Sequence, residues 1–117
     1  MKYFTLKEFD CPTELGSGSK MDKEFLELLD ISRGIAGIPF TITSGYRTKQ
    51  HNKDIGGVDS SSHLKGLAAD LSVTDSRKRS IVLNALISAG FNRIGIAKTF
   101  IHVDLSKEKS QNVIWMY

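Results

Sequence analysis

The stretch that decides the fold reads SHLKGLAAD over residues 62–70, and the segment FIHVD over residues 100–104 completes it. Together they supply two histidines, His63 and His102, and one carboxylate, Asp70, in short and well-bounded contexts. Two imidazoles and a carboxylate form the ligand set of open zinc sites, in which three protein groups leave a fourth position free. The sequence therefore allows a metal centre at these three residues if the fold brings them together. The alternative, which is the commoner one for each residue taken singly, is a surface-loop histidine, a capping aspartate and a core histidine with structural roles.

The first stretch must fold back on itself to build such a centre. Residues 67–73 alternate in the manner of a strand, which places Asp70 inside that strand and His63 in the loop before it. Seven residues separate the two, which on a helix face would place them about 10 Å apart along the axis, too far for both to bind one ion. Gly66 lies between them, and glycine can adopt the backbone angles that a sharp reversal requires.

The other segments predict an α+β fold. Apolar residues, Ile35 among the last, recur at helical spacing from Ser19 or Lys20 to Gly37, and a second helix is expected from Thr74 or Asp75 to Gly90. Shorter helical turns are expected near Thr5 and over 48–54, with strands over 40–43, 67–73, 91–96, 100–105 and, as a final edge strand, 113–117. Helices and strands do not alternate strictly, and the last strands follow one another. A small, mainly antiparallel sheet packed against helices is therefore expected.

Composition is ordinary for a soluble globular protein. The chain has 117 residues, 40% hydrophobic and 25% charged, which favours a single domain over 1–117 and a monomer. Its net charge of +3 is scattered, so nucleic-acid binding is not expected, and no apolar run approaches the length of a membrane span, so membrane insertion is not expected either. Cys11 is the only cysteine, which excludes an internal disulfide and a cysteine-rich zinc site. A buried thiol is favoured there over a nucleophile.

Several motifs in a fixed order resemble one enzyme family. The segments are SGYR at 44–47, HN at 51–52, GG at 56–57, SHLKGLAAD at 62–70 and FIHVD at 100–104. They closely resemble the M15 zinc peptidases, which include D-Ala-D-Ala carboxypeptidases, the D,D-dipeptidases of vancomycin resistance and several phage endolysins. The resemblance implies the hedgehog/DD-peptidase fold and Zn²⁺ as cofactor, with His63, Asp70 and His102 as its ligands.

Three further residues take expected roles from the resemblance. Arg47 matches an arginine that lines the active site and stabilises the polarised carbonyl or the substrate carboxylate, which suits a planar, permanently charged group. A surface salt bridge is the alternative for this residue. Ser62 and His51 are candidate substrate contacts, although turn formation explains Ser62 and a structural hydrogen bond explains His51 equally well.

The catalytic base departs from the family pattern. Many members carry a glutamate three residues before the last zinc histidine, where this chain has Thr99, which cannot accept a proton at neutral pH. Some related enzymes place a histidine two residues before it, where this chain has Phe100. Asp104 shares a strand face with His102. We therefore expect Asp104 to be needed for activity, either by activating water or by orienting a ligand.

The resemblance implies a zinc metallopeptidase that hydrolyses a peptide bond in the stem peptides or cross-links of bacterial peptidoglycan, as a carboxypeptidase or an endopeptidase. The chain opens without a leader, so we expect synthesis in the cytoplasm and action on the cell wall after release, as in phage lysis. The alternative is a catalytically inactive, zinc-binding structural or binding module, such as a phage virion component.

Overall fold

A five-stranded sheet forms the centre of the structure, a computed structural model that describes residues 1–117. Its strands are β1 (Ile42–Ser44), β2 (Ala68–Ser72), β3 (Arg93–Ile96), β4 (Phe100–Asp104) and β5 (Val113–Met116). They lie in the order β1-β2-β4-β3-β5, and every neighbouring pair is antiparallel except β3 and β5. The α+β class with a mainly antiparallel sheet is confirmed, and β5 is an edge strand as predicted.

Three α-helices accompany the sheet: α1 (Lys23–Ala36), α2 (Lys49–Asp54) and α3 (Ser76–Ala89), with 3₁₀ turns at Leu6–Phe9, Ser17–Lys20 and Ser62–Lys65. The side chains of Asp22 and Asp75 cap α1 and α3 by accepting backbone N–H groups of the first turn. None of the helices combines the length and the apolar character that crossing a membrane requires.

The first long helix starts later than the apolar spacing predicts. It begins at Lys23 because the Asp22 carboxylate accepts the Phe25 N–H at 2.9 Å, and an N-cap residue lies outside the helix. The residues before it form the separate turn at Ser17–Lys20. Ile35, which was expected on the apolar face, is 52% exposed, so that prediction was wrong.

The alternation of the central strands separates the core from the site. Residues such as Leu71, Ile101 and Val103 join one cluster of 16 buried apolar residues, which also includes Phe25 of α1. The alternating positions of the same strands carry Asp70, His102 and Asp104 to the opposite face of the sheet. Cys11 is fully buried, in agreement with the expected packing role.

Candidate metal centre

Strand pairing and one sharp turn assemble the three predicted ligands. Asp70 on β2 lies directly opposite His102 on β4 in the antiparallel register. His63 reaches them from the Ser62–Lys65 turn, which ends at Gly66 with a left-handed φ of 70°. A side chain at Gly66 would also collide with the backbone of Lys20, so glycine is required there for two reasons.

The donor atoms of these residues converge on one point. His63 Nε2 lies 3.3 Å from Asp70 Oδ1, and His102 Nδ1 lies 2.9 Å from the same oxygen. The three donor atoms are all within 4.8 Å of one another, and all three residues are buried. The structure therefore brings together the ligand set that the sequence predicts.

Each histidine is oriented by a hydrogen bond at its other ring nitrogen. His63 Nδ1 lies 2.7 Å from the carbonyl oxygen of Gly45, an acceptor, so this nitrogen donates its proton. Residue 45 is a glycine because a Cβ there would stand 2.7 Å from the Cα of Phe9, whose backbone passes directly beside it. His102 Nε2 lies 2.8 Å from Asp104 Oδ2. Metal-binding histidines characteristically donate their second N–H to a carbonyl or a carboxylate in this way.

The electrostatics of the cluster fit a bound cation. Burial favours the neutral forms of Asp70 and His102, yet the hydrogen bonds that Asp70 accepts from His102 and His63, and that Asp104 accepts from His102, outweigh it. The pKa of Asp70 is therefore lowered and that of His102 is raised. When His63 is neutral and carries its proton on Nδ1, towards Gly45, its Nε2 no longer donates, and the lone pair on that nitrogen faces the Asp70 carboxylate. A divalent cation at the point of convergence removes this repulsion, and two imidazoles with one carboxylate suit zinc.

Asp104 is held by donors on both of its oxygens. Oδ2 accepts from His102, while Oδ1 accepts from Arg93 Nε at 2.7 Å and from the backbone N–H of Ser106 at 3.0 Å. Burial raises the pKa of Asp104, but the bonds from His102 and Arg93 outweigh burial and lower it. Of the two roles that the sequence allows for Asp104, activating water or orienting a ligand, this geometry favours orientation of His102.

A comparison with family models decides the relationship. The model described as Peptidase M15 matches residues 2–104 of the chain. This chain belongs to the M15 peptidase family. M15 enzymes are zinc-dependent metallopeptidases, in accord with the donor set described above. A search of curated proteins finds no match. The match ends at β4, so β5 and the segment that leads to it lie beyond the matched region.

Arg47 lies beside the ligands in this M15 chain. Its Nη2 is 3.4 Å from Asp70 Oδ2, its Nε donates to Ser44 Oγ at 3.0 Å, and its Nη1 donates to Asn52 Oδ1 at 3.2 Å. Asn52 is buried and donates in turn to the Val58 carbonyl. Arg47 is thus a fixed neighbour of Asp70, one of the three candidate ligands.

A pocket of about 380 Å³ opens over the cluster. Beside the ligands it is lined by Arg47, Ser62, Lys109, Trp115 and Tyr117. His51 is not among the residues that line it, and the exposed Thr99 also lies outside. The substrate contact predicted for His51 therefore gains no support from the pocket, whereas Ser62 stands at its wall.

The sequence did not single out Arg93 or Lys109 for the site. Gly95 of β3 pairs with His102, so alternation places Arg93, two residues earlier, on the same face. That signal becomes readable only once the register of β3 against β4 is known. For Lys109 there is no local signal, because it reaches the pocket from the irregular segment between β4 and β5.

Proposed function

We propose that this M15 peptidase binds one zinc ion through His63 Nε2, Asp70 Oδ1 and His102 Nδ1, and that it hydrolyses a peptide bond in bacterial peptidoglycan. The observation that carries the proposal is the convergence of three buried donor atoms, with both histidines oriented by a second hydrogen bond. When bound, zinc would supply the Lewis acid that polarises the scissile carbonyl and activates water.

Arg47 is suited to hold the substrate against this centre. Its three contacts with Ser44, Asn52 and Asp70 use three of the five N–H donors of the guanidinium, which leaves two for a substrate oxygen. The same contacts hold the group rigidly, so it pays little additional ordering cost when substrate arrives. We assign it the carbonyl or carboxylate of the substrate as its ligand.

Asp104 acts on His102 and not on water in this proposal. Each of its oxygens already accepts at least one hydrogen bond from a fixed donor, and the side chain is buried. A group in that position holds the tautomer of His102 in which Nδ1 is free to bind metal. Asp104 is therefore needed for activity through the ligand that it orients.

The charge of the pocket supports an anionic peptide as substrate. The Lys109 ammonium donates to Ser62 Oγ at 3.1 Å and has no carboxylate partner, so its charge is not neutralised. Arg47 and Arg93, by contrast, are paired with Asp70 and Asp104. Stem peptides of peptidoglycan carry free carboxylates, which an unpaired ammonium at the pocket wall would attract.

Digestion of purified peptidoglycan tests this function. Zinc-loaded protein should release new amino groups, and mass spectrometry of the products identifies the bond. Free D-alanine would indicate a carboxypeptidase, and conversion of cross-linked dimers to monomers an endopeptidase. His63→Ala should abolish both zinc binding and release. Wild-type protein that holds one zinc per chain and releases no amine would contradict the enzymatic proposal.

One observation favours the alternative of a zinc-binding module without catalysis. The only carboxylates that line the pocket are Asp70 and Asp104, and both already accept hydrogen bonds from their neighbours. The family glutamate position is occupied by Thr99. A module of this kind would retain peptidoglycan in a pull-down assay but leave it uncut, which separates the two functions in one experiment.

A further inference from the structure

We propose that Arg93 is a positioning residue of the zinc site, which acts through Asp104 to fix the ring of His102 with its Nδ1 towards the metal. The inference rests on the zinc site of the proposed function. Arg93 is not one of the three candidate ligands; it lies on β3, next to the strand that carries His102, and contacts Asp104.

Arg93 contacts both carboxylate oxygens of Asp104. Arg93 Nε lies 2.7 Å from Asp104 Oδ1, and Arg93 Nη2 lies 3.5 Å from Oδ2. Two contacts to two oxygens fix the plane of a carboxylate, whereas one contact leaves it free to rotate. Oδ2 is also the oxygen that meets His102 Nε2 at 2.8 Å. Arg93 thereby determines where the acceptor for His102 stands.

The Arg93 side chain is itself held in place by further contacts. Its Nη1 donates to the carbonyl of Ser110, and its guanidinium carbon lies 5.0 Å from the ring centroid of Trp115. The Trp115 ring in turn stands 5.6 Å from the His102 ring, centroid to centroid. Ser110 and Trp115, which lie after β4 and outside the family match, therefore hold Arg93 in place, and Trp115 also packs against His102.

The position of the Asp104 carboxylate determines the tautomer of His102. A carboxylate held at Nε2 requires the proton on that nitrogen, which leaves the Nδ1 lone pair for the metal. Without Arg93, Asp104 would lose its only cationic partner besides His102, and its Oδ1 would keep only the hydrogen bond from the Ser106 backbone N–H. His102 would then lose its fixed acceptor, and its orientation towards the metal would be less defined.

Metal affinity of Arg93 variants tests the inference without any measurement of activity. Arg93→Met removes the two hydrogen bonds to Asp104 and the one to the Ser110 carbonyl, and Arg93→Lys can restore one of the bonds to Asp104. Arg33→Met is the matched control, because Arg33 also donates to a backbone carbonyl, that of Tyr3, and lies over an aromatic ring, that of Phe4, in the N-terminal part of the molecule. The zinc dissociation constant is measured by competition with a chelator, and the visible spectrum of the cobalt-substituted protein reports ligand geometry.

We expect Arg93→Met to weaken zinc binding by about 10- to 100-fold, the usual range for residues that support a metal ligand, and to change the cobalt spectrum. Arg93→Lys should fall between this variant and the wild type, and Arg33→Met should match the wild type. Wild-type affinity and spectrum in folded Arg93→Met would overturn the inference. If that variant fails to fold, unchanged zinc affinity and spectrum in Arg93→Lys overturn it equally. A wild-type protein that binds no zinc defeats the proposed function and this inference together.

Discussion

Replacing Asp104 with asparagine should destabilise the fold strongly even without metal. Asp104 is 1% exposed and accepts hydrogen bonds from His102, Arg93 and the Ser106 backbone. Asparagine keeps the shape but offers one acceptor oxygen and one NH₂ group, so a donor would face a donor. The change also leaves the buried guanidinium of Arg93 without a counter-charge, and removing one partner of a buried ion pair costs about 3–5 kcal/mol.

That cost is large beside the total stability of about 5–15 kcal/mol that is typical of small domains. At about 4 °C per kcal/mol for a chain of this size, the melting temperature should fall by about 12–20 °C. Urea denaturation and thermal melts followed by circular dichroism, both in the presence of EDTA at neutral pH, measure the change without any contribution from zinc.

The double variant Arg93→Met/Asp104→Asn shows whether the ion pair is the cause. Because it removes both charges of the ion pair together, it should be clearly more stable than the sum of the two single changes predicts. The reasoning is refuted if the free energy of unfolding of Asp104→Asn lies within about 0.5 kcal/mol of the wild-type value, which is the range of ordinary surface substitutions. It is also refuted if the destabilisation of the double variant equals the sum of the two single effects.

Three other predictions concern the turn, the pocket and the protonation of the site. Gly66→Ala should destabilise by at least about 1 kcal/mol more than Gly56→Ala, since both glycines have left-handed φ but only Gly66 lacks space for a Cβ; equal urea midpoints would contradict this. Lys109→Met should raise KM for an anionic peptide and leave kcat unchanged, whereas the exposed neighbour Lys107→Met should change neither; an unchanged KM for Lys109→Met removes Lys109 from substrate binding. In the metal-free protein, protonation of His102 stabilises the fold because its pKa is raised; this contribution is complete below about pH 6.5, the pKa of an unfolded histidine, and disappears as pH rises through the pKa of the folded state. Zinc competes with the proton for His102, so the gain in melting temperature on adding zinc should increase as pH rises over this range. A gain that does not change with pH would argue against this competition.

Sequence patterns were sufficient to predict that the three candidate ligands converge and which strands carry two of them. The two-residue period of a strand puts Asp70 and His102 on one face, and their antiparallel pairing brings them opposite each other. Gly66 was predicted to allow the reversal that brings His63 back, and it does adopt a left-handed φ. The face that each strand residue occupies and the turn at Gly66 could be predicted because each depends on a few residues close together in the chain.

The features that the sequence missed depend on contacts between distant segments. Arg93 reaches the site only because β3 pairs with β4 in one particular register, and Lys109 only because the segment before β5 passes over the pocket. Alternation could place Asp104 beside His102 but could not show which donors surround it. The start of α1 was misplaced for a different, local reason: the helical spacing continues through Asp22, which caps the helix and lies outside it.

A crystal structure of the protein grown with zinc, with anomalous data collected at both sides of the zinc edge, tests the central claim most directly. The account predicts one zinc ion per chain, bound by His63 Nε2, Asp70 Oδ1 and His102 Nδ1 at about 2.0–2.2 Å, with a fourth position open to the pocket. Absence of an anomalous peak at these residues, or a zinc ion held by other side chains, would contradict it.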